Sequence, residues 1–296
     1  ANTLLAPSAV WVQALADVAA AVALEKGVAA PVQGTATEAA KAIARSMLGG
    51  ERKAVLLGNA AAHHAKASSL LALANWLGQQ TGATVGFLTE AANSVGAQLA
   101  GALPGEGGLN AAQMLAGGLK AVLLLNNEPE FDSAAGAKAA TALRQAKLVV
   151  TLSPFKANMA FSDVLLPVAP FTETSGTFIN AEGRVQGFHA VVKPLGETRP
   201  GWKVLRVLAN LLDVPGFDFD SSQDVLNKVC GLPPAEQTHL GAELLSNATK
   251  ASVDLSPATA EPVVASIYAL DSVVRRATSL QLTADAKAAA TQEVAA

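Results

Sequence analysis

Glu173, Asn180, Glu182 and Arg184 crowd into one short stretch, FTETSGTFINAEGRVQ, from Phe171 to Gln186. Two neighbouring carboxylates are the raw material of general acid–base chemistry, and a guanidinium is a forked anion binder. The same residue types also serve structure. An Arg184–carboxylate contact and the Asn180 side chain can pin a glycine-bearing loop against a sheet, and such pairs need no reaction to explain them. The structural role is the stronger reading, so a pinned, turn-rich loop is expected here, with Gly176 and Gly183 admitting positive φ or close backbone approach.

Other chemistry-bearing residues are scattered. Cys230 is the only cysteine, which excludes an internal disulfide, a cysteine-based zinc site and an iron–sulfur cluster held by this chain. It reads as an inert thiol; His239 is the only histidine near it that could activate it. His63 and His64 are adjacent, whereas two ligands on one helix face sit three or four residues apart, so a helix-start or hydrogen-bonded role is expected rather than a metal pair. His189, in an extended Val185–Val192 segment, has no nucleophile beside it. The glycine-rich Gly101–Gly108 segment lacks the strand–helix context and the later acid of a dinucleotide fingerprint and reads as a surface loop.

The elements that must carry these residues follow from periodicity and punctuation. Val10–Lys26 and Ala36–Leu48 read as helices, the first closed by Gly27 and the second entered at Thr35 or Thr37. Strand candidates Ala54–Leu57, Ala83–Leu88, Ala121–Leu125 and Leu148–Leu152 then alternate with helices His64–Gln80, Asn110–Ala116 and Ser133–Gln145. Val164–Leu166 reads as a short strand end stopped by Pro167. Such alternation predicts an α/β fold with an open, mostly parallel, Rossmann-like sheet and helices on both faces. Ligands in such sheets sit beyond the carboxyl ends of strands. That singles out Asn59, Asn93, Asn126 and Glu128 in the loops after the first three strands, with Ser153–Lys156 after the fourth.

A helix over Pro200–Asp213 carries a stripe of Leu205, Leu208 and Leu212, with Val204 and Leu211 beside it, and a short helix over Asp218–Gly231 follows. From Leu232 to about Pro262 the composition turns to Pro, Ala, Ser and Thr, as in a lightly packed extension. The segment from Ser266 regains helix formers and an apolar stripe beside Arg275–Arg276, as in a docking segment or a terminal helix. The organisation is therefore 1–216, an α/β domain of N-terminal helices (1–50), sheet core (51–192) and closing helix (193–216), then a helical extension, 217–296.

Composition limits the partners. A 51% hydrophobic chain of 296 residues can bury a large core, and a net charge of −3 with scattered bases gives no electrostatic footprint for nucleic acid. Every apolar run is broken by charge, Gly or Pro before about 18 residues, so no direct membrane insertion is expected. The chain starts at Ala1 rather than Met and reads as a piece of a longer protein.

Leu166, Pro167, Phe171, Glu173, Gly176, Thr177, Phe178, Asn180, Glu182, Gly183, Arg184, Val185 and Gln186, followed by Pro194, Gly196, Glu197, Arg199, Pro200 and Trp202, resemble the signature of molybdopterin-dependent oxidoreductases. In that family the strand-end loops face the pterin cofactor, and Asn126–Pro129 stands at a Gly/Asn-x-(Asn/Asp)-Pro turn, with Glu128 departing from the pattern. With Ile267–Ala286 added, the chain is similar to the C-terminal part of one component of bacterial respiratory complex I, the NADH–quinone oxidoreductase. That component is the one that joins an iron–sulfur N-terminal half to a molybdopterin-oxidoreductase-like fold.

The resemblance implies a non-catalytic structural region of the peripheral arm, with other peripheral-arm subunits as partners. It implies a place on the cytoplasmic side of the bacterial inner membrane, no cofactor in this chain, and iron–sulfur clusters only in an N-terminal half that this chain does not contain. No catalytic or metal-binding residue is then expected. The alternative is a molybdopterin-guanine-dinucleotide-binding fragment of an active molybdoenzyme, with Asn59, Asn93, Asn126, Glu128, Glu173, Asn180 and Arg184 toward the cofactor. A β-rich domain following Gly216 would mark that alternative, and nothing after Gly216 alternates like one. A free-standing NAD-dependent dehydrogenase is disfavoured by the missing fingerprint.

Overall fold

A computed structural model describes residues 2–231 and 246–295. The chain sorts into two compact units, Ala1–Ala91 with Gly241–Val264, and Ala92–Leu240 with Ala265–Ala296.

The first unit is built on small residues. α1 (Trp11–Lys26) and α2 (Glu38–Gly49) bury alanines in a shared core, Ala16, Ala19 and Ala21 from α1 and Ala40 and Ala44 from α2, all fully buried. Thr37 caps α2 by accepting from Ala40 N at 3.2 Å, which settles the choice between the two threonines. Gly27 closes α1 in the left-handed conformation. Ser8–Lys26 is long and apolar enough to cross a membrane by length and composition, with Asp17 the charge that interrupts its apolar run. Here its inner face packs into the core formed with α2 and α4. β1 (Ala54–Leu57) leads through α3 (Asn59–Ala62) and α4 (Ala67–Thr81) to β2 (Thr84–Phe87), which pairs with β1 in parallel. The helix read from His64 starts instead at Ala67, because the His64 ring accepts from Lys66 N and holds the chain in a turn.

Residues 246–264 add no regular element but are anchored along this unit. Asn247 Nδ2 donates to Val85 O at 2.9 Å, and Asp254 N donates to Ser69 Oγ at 3.0 Å. Val253 and Leu255 pack against the helical core. Serine- and threonine-rich composition thus gives an extended strap held by side-chain hydrogen bonds. The earlier part of the extension read from composition, 232–245, lies outside the described residues, as does His239.

The second unit opens with α5 (Ser94–Leu99), which sequence pattern did not show, and α6 (Ala111–Leu115), closed at its start by an Asn110–Gln113 capping box. β3 (Ala121–Leu125), α7 (Pro129–Asp132), α8 (Ala137–Leu143) and β4 (Leu148–Ser153) follow. The helix read over Ser133–Gln145 is shorter, α8 alone, entered at Gly136, where φ is +54°, while α7 lies wholly before that range. β5 (Val164–Ala169) continues through Pro167 instead of ending there. β6 (Gly176–Ile179) and β7 (Val185–Phe188) form an antiparallel hairpin, and β8 (Arg199–Pro200) precedes α9 (Gly201–Leu211) and α10 (Ser222–Cys230).

The four-stranded sheet runs β3-β4-β5-β8, all parallel, with Leu125 opposite Leu152 and Ser153 opposite Pro167. β4 is its most buried strand, with Val149, Thr151 and Leu152 sealed, as expected of a strand flanked on both sides. Leu211 at the end of α9 and Leu212 just after it are exposed, so the expected leucine stripe packs only through Leu205 and Leu208. α11 (Ile267–Leu270), α12 (Thr278–Gln281) and α13 (Ala284–Ala295) make the C-terminal region helical.

Candidate functional site

The chemistry of the second unit concentrates where β3 and β4 end. Asn126 leaves β3 with φ of +49°, and its N–H donates to Leu152 O, which turns the chain sharply toward α7. Pro129 opens α7 at a position where no N–H is needed. Glu128 N donates to Asp132 Oδ2 at 2.7 Å, Ser133 Oγ donates to Pro129 O at 2.5 Å, and Asn158 Nδ2 donates to Asn127 O at 2.9 Å. The turn is therefore held by its own hydrogen bonds.

Glu128, 3% exposed, is the buried acid of this turn. A carboxylate in that position requires cations, and two arrive from the C-terminal region. Arg276 Nη2 donates to Glu128 Oε2 at 2.9 Å, and its guanidinium lies 4.0 Å from the centre of the Phe155 ring. Arg275 Nη2 donates to Asp132 Oδ1 at 2.9 Å, lies 3.6 Å from Glu128 Oε2, and stacks over Phe131 at 4.7 Å. Backbone carbonyls of Ala269 and Ser272 take further guanidinium N–H groups. Space remains for a cavity of about 110 Å³, bounded by Asn126, Glu128, Phe155, Phe171 and Val273. The side chains that fill this crevice are Arg275 and Arg276, and the one signal for them was their adjacency beside an apolar stripe.

The remaining candidates of the second unit have partners of their own. Asn93 Oδ1 accepts from Ile179 N at 2.8 Å and joins the start of α5 to the hairpin. Asn180 Oδ1 accepts from Glu182 N at 3.0 Å and Arg184 N at 2.9 Å, closing the β6–β7 turn. The Asn180 half of the expected pin is thus present. The Arg184 half is not: its exposed guanidinium forms no ion pair with Glu173 or Glu182 among the described residues. Hairpin pairing and the Asn180 turn satisfy the loop without it. Glu173 Oε2 accepts from Leu195 N at 3.0 Å at the edge of an open cleft of about 520 Å³ that also presents Lys193, Arg199, Trp202 and Lys203.

Asn59 belongs to the first unit, at the start of α3. In that unit His63 Nε2 lies 3.2 Å from Glu90, while His64 is buried, stacked on Trp11 and bonded to Ser8 O at 3.0 Å. The two rings have separate partners. Burial pushes the Cys230 thiol up, away from the reactive thiolate.

Residues 30–211 match the family model for molybdopterin oxidoreductases. A Staphylococcus aureus (strain bovine RF122 / ET3-1) protein named "Putative formate dehydrogenase" is 40% identical over 76 residues, covering 25% of this chain and 7% of that protein. The probable oxidoreductase YjgC of Bacillus subtilis (strain 168) is 38% identical over 74 residues, again 25% of this chain and 7% of the relative. The matched stretch is therefore a small part of either relative. The match over 30–211 takes in both parallel strand sets, the β6–β7 hairpin and all of α9, and the chain belongs to the molybdopterin oxidoreductase family.

Proposed function

We propose that this chain is a non-catalytic structural region of the family fold, serving assembly in the peripheral arm of a bacterial NADH–quinone oxidoreductase. The observation that carries this reading is the Arg276–Glu128 contact across the strand-end crevice. A pocket for a ligand of drug size runs to about 300–1,000 Å³, and a pterin dinucleotide is at least that large. The cavity beside Glu128 is about 110 Å³. A dinucleotide does not fit there while Arg275 and Arg276 occupy the crevice, and displacing them would leave Glu128 buried without a cation.

In this reading the chain binds no cofactor, and its partners are other peripheral-arm subunits on the cytoplasmic side of the inner membrane. Electron transfer from NADH toward quinone belongs to the parent assembly, through iron–sulfur clusters held outside this chain. The resemblance of Ile267–Ala286 supports the assignment, because that segment supplies the two arginines.

A second reading is favoured by the stretches shared with relatives named as formate dehydrogenase and oxidoreductase. There the chain is part of an active molybdoenzyme, with Asn93, Asn126 and Asn180 among its cofactor contacts. Metal analysis of the purified protein, together with fluorescence of any pterin released by acid, separates the two. Protein made in cells able to synthesise the cofactor is expected to carry neither. Stoichiometric molybdenum or tungsten with pterin would establish the second reading.

A further inference from the structure

We propose that the turn from Asn126 to Asp132 is a guanidinium-binding site with two subsites, and that the C-terminal segment supplies its built-in ligand. Each subsite pairs one carboxylate with one aromatic ring. Glu128 and Phe155 receive Arg276, at 2.9 Å to the carboxylate and 4.0 Å to the ring centre. Asp132 and Phe131 receive Arg275, at 2.9 Å and 4.7 Å.

The backbone of the turn is held by bonds that do not involve the arginines. Asp132 uses Oδ2 to accept from Glu128 N, which fixes the second acid on the backbone of the turn and leaves Oδ1 for Arg275. Asn158 and Ser133 hold the backbone of the same turn. A preorganised site loses less on binding than one that must be ordered first.

The chemistry selects guanidinium over ammonium. A planar cation can lie flat on a ring while its edge N–H groups reach a carboxylate, whereas a compact ammonium makes only one of the two contacts well. Desolvation sharpens the choice. The side chains of Glu128, Arg275 and Arg276 are 4%, 10% and 33% exposed, so a strongly hydrated ammonium would give up water at either subsite, more at that of Arg275, that the ring cannot replace. Glu128 Oε1 is fully buried and also lies 2.9 Å from Arg276 Nη2, so both oxygens of the first acid face the same guanidinium.

The test is chemical complementation in the full chain. Arg276→Ala empties the Glu128–Phe155 subsite. Methylguanidinium at millimolar concentration is expected to bind this variant saturably, at least tenfold more tightly than methylammonium, and to restore amide-exchange protection to Ser272–Gln281. Wild-type protein is expected to show no such site, and Glu128→Gln combined with Arg276→Ala to lose the selectivity. Equal binding of the two cations, or none of either, would overturn the proposal. Should Arg276→Ala not fold, Arg276→Lys keeps the charge, and methylguanidinium must then displace the lysine with the same tenfold preference or the proposal fails. Pterin in the purified protein would end the scaffold reading and leave this selectivity measurement as it stands.

Discussion

Arg276 and Glu128 are 148 residues apart in sequence, yet their side chains meet at 2.9 Å. Removing one partner of a buried pair leaves a charge without compensation, at a cost of about 3–5 kcal/mol. Glu128→Ala is therefore expected to destabilise the second unit by about that amount, since it leaves Arg276 without its acid and Arg275 with only one. Urea unfolding followed by amide exchange in β3 and β4 checks this. A loss below about 1 kcal/mol would mean that water already screens the pair.

Asn93 and Gly96 are coupled through space. An alanine Cβ at Gly96 would come within 2.0 Å of Asn93 Oδ1, the atom that accepts from Ile179 N. Gly96→Ala must expel the Asn93 side chain and is expected to cost about 1–3 kcal/mol, the range for a buried hydrogen bond broken on one side. In an Asn93→Ala background the same change should be nearly neutral. Additive effects in that double-mutant cycle would remove the coupling.

The β6–β7 turn separates two residues that look alike in the family signature. Asn180→Ala removes the acceptor of two backbone N–H groups and is expected to cost about 1–2 kcal/mol. Arg184→Ala, at an exposed side chain without an ion pair among the described residues, is expected to stay within about 0.5 kcal/mol of wild type. Thermal unfolding of the two variants side by side decides which residue holds the turn.

What the sequence made legible was local. Ala121–Leu125 is continuously apolar and became β3 at those bounds, and Ala54–Leu57 became β1. The β6–β7 hairpin was obscured because its glycines and polar residues carry no clean alternation, and its register depends on the Asn180 turn. β5 runs past Pro167 because parallel pairing with β4 needs only some of its N–H groups. The strand-end position of Glu128 was readable from topology. Its partners were not, since nothing in periodicity brings Arg275 and Arg276 back across the chain.

In the first unit, His64 fills a slot between Trp11 and the chain at Ser8. Its Nδ1 accepts from Lys66 N, so Nε2 carries the proton and donates to Ser8 O. His64→Ala would leave both backbone groups unmatched and open a cavity beside the indole, an expected loss of about 2–4 kcal/mol. Trp11 fluorescence during unfolding reports it directly. An unchanged midpoint would show that water takes the place of the ring.

The strap over the first unit is expected to respond to acid through Asp254. Lys66 Nζ lies 2.5 Å from its carboxylate, and Ser256 donates both its N–H and its hydroxyl. The Lys66 hydrogen bond, followed by those from Ser256, holds the Asp254 carboxyl well below its ordinary value of 3.8. A group lowered in the folded state contributes stability that is full above the unfolded value and is lost as pH falls through the folded one. Wild type should therefore exceed Asp254→Asn by a constant margin above about pH 5, and the margin should shrink below pH 3.8. Melting temperatures of both proteins between about pH 2 and pH 7 test this. A margin that persists undiminished at the acid end would mean that the amide loses something other than the charge, and the strap would then be held by Asn247, Ser69 and the packing of Val253 and Leu255.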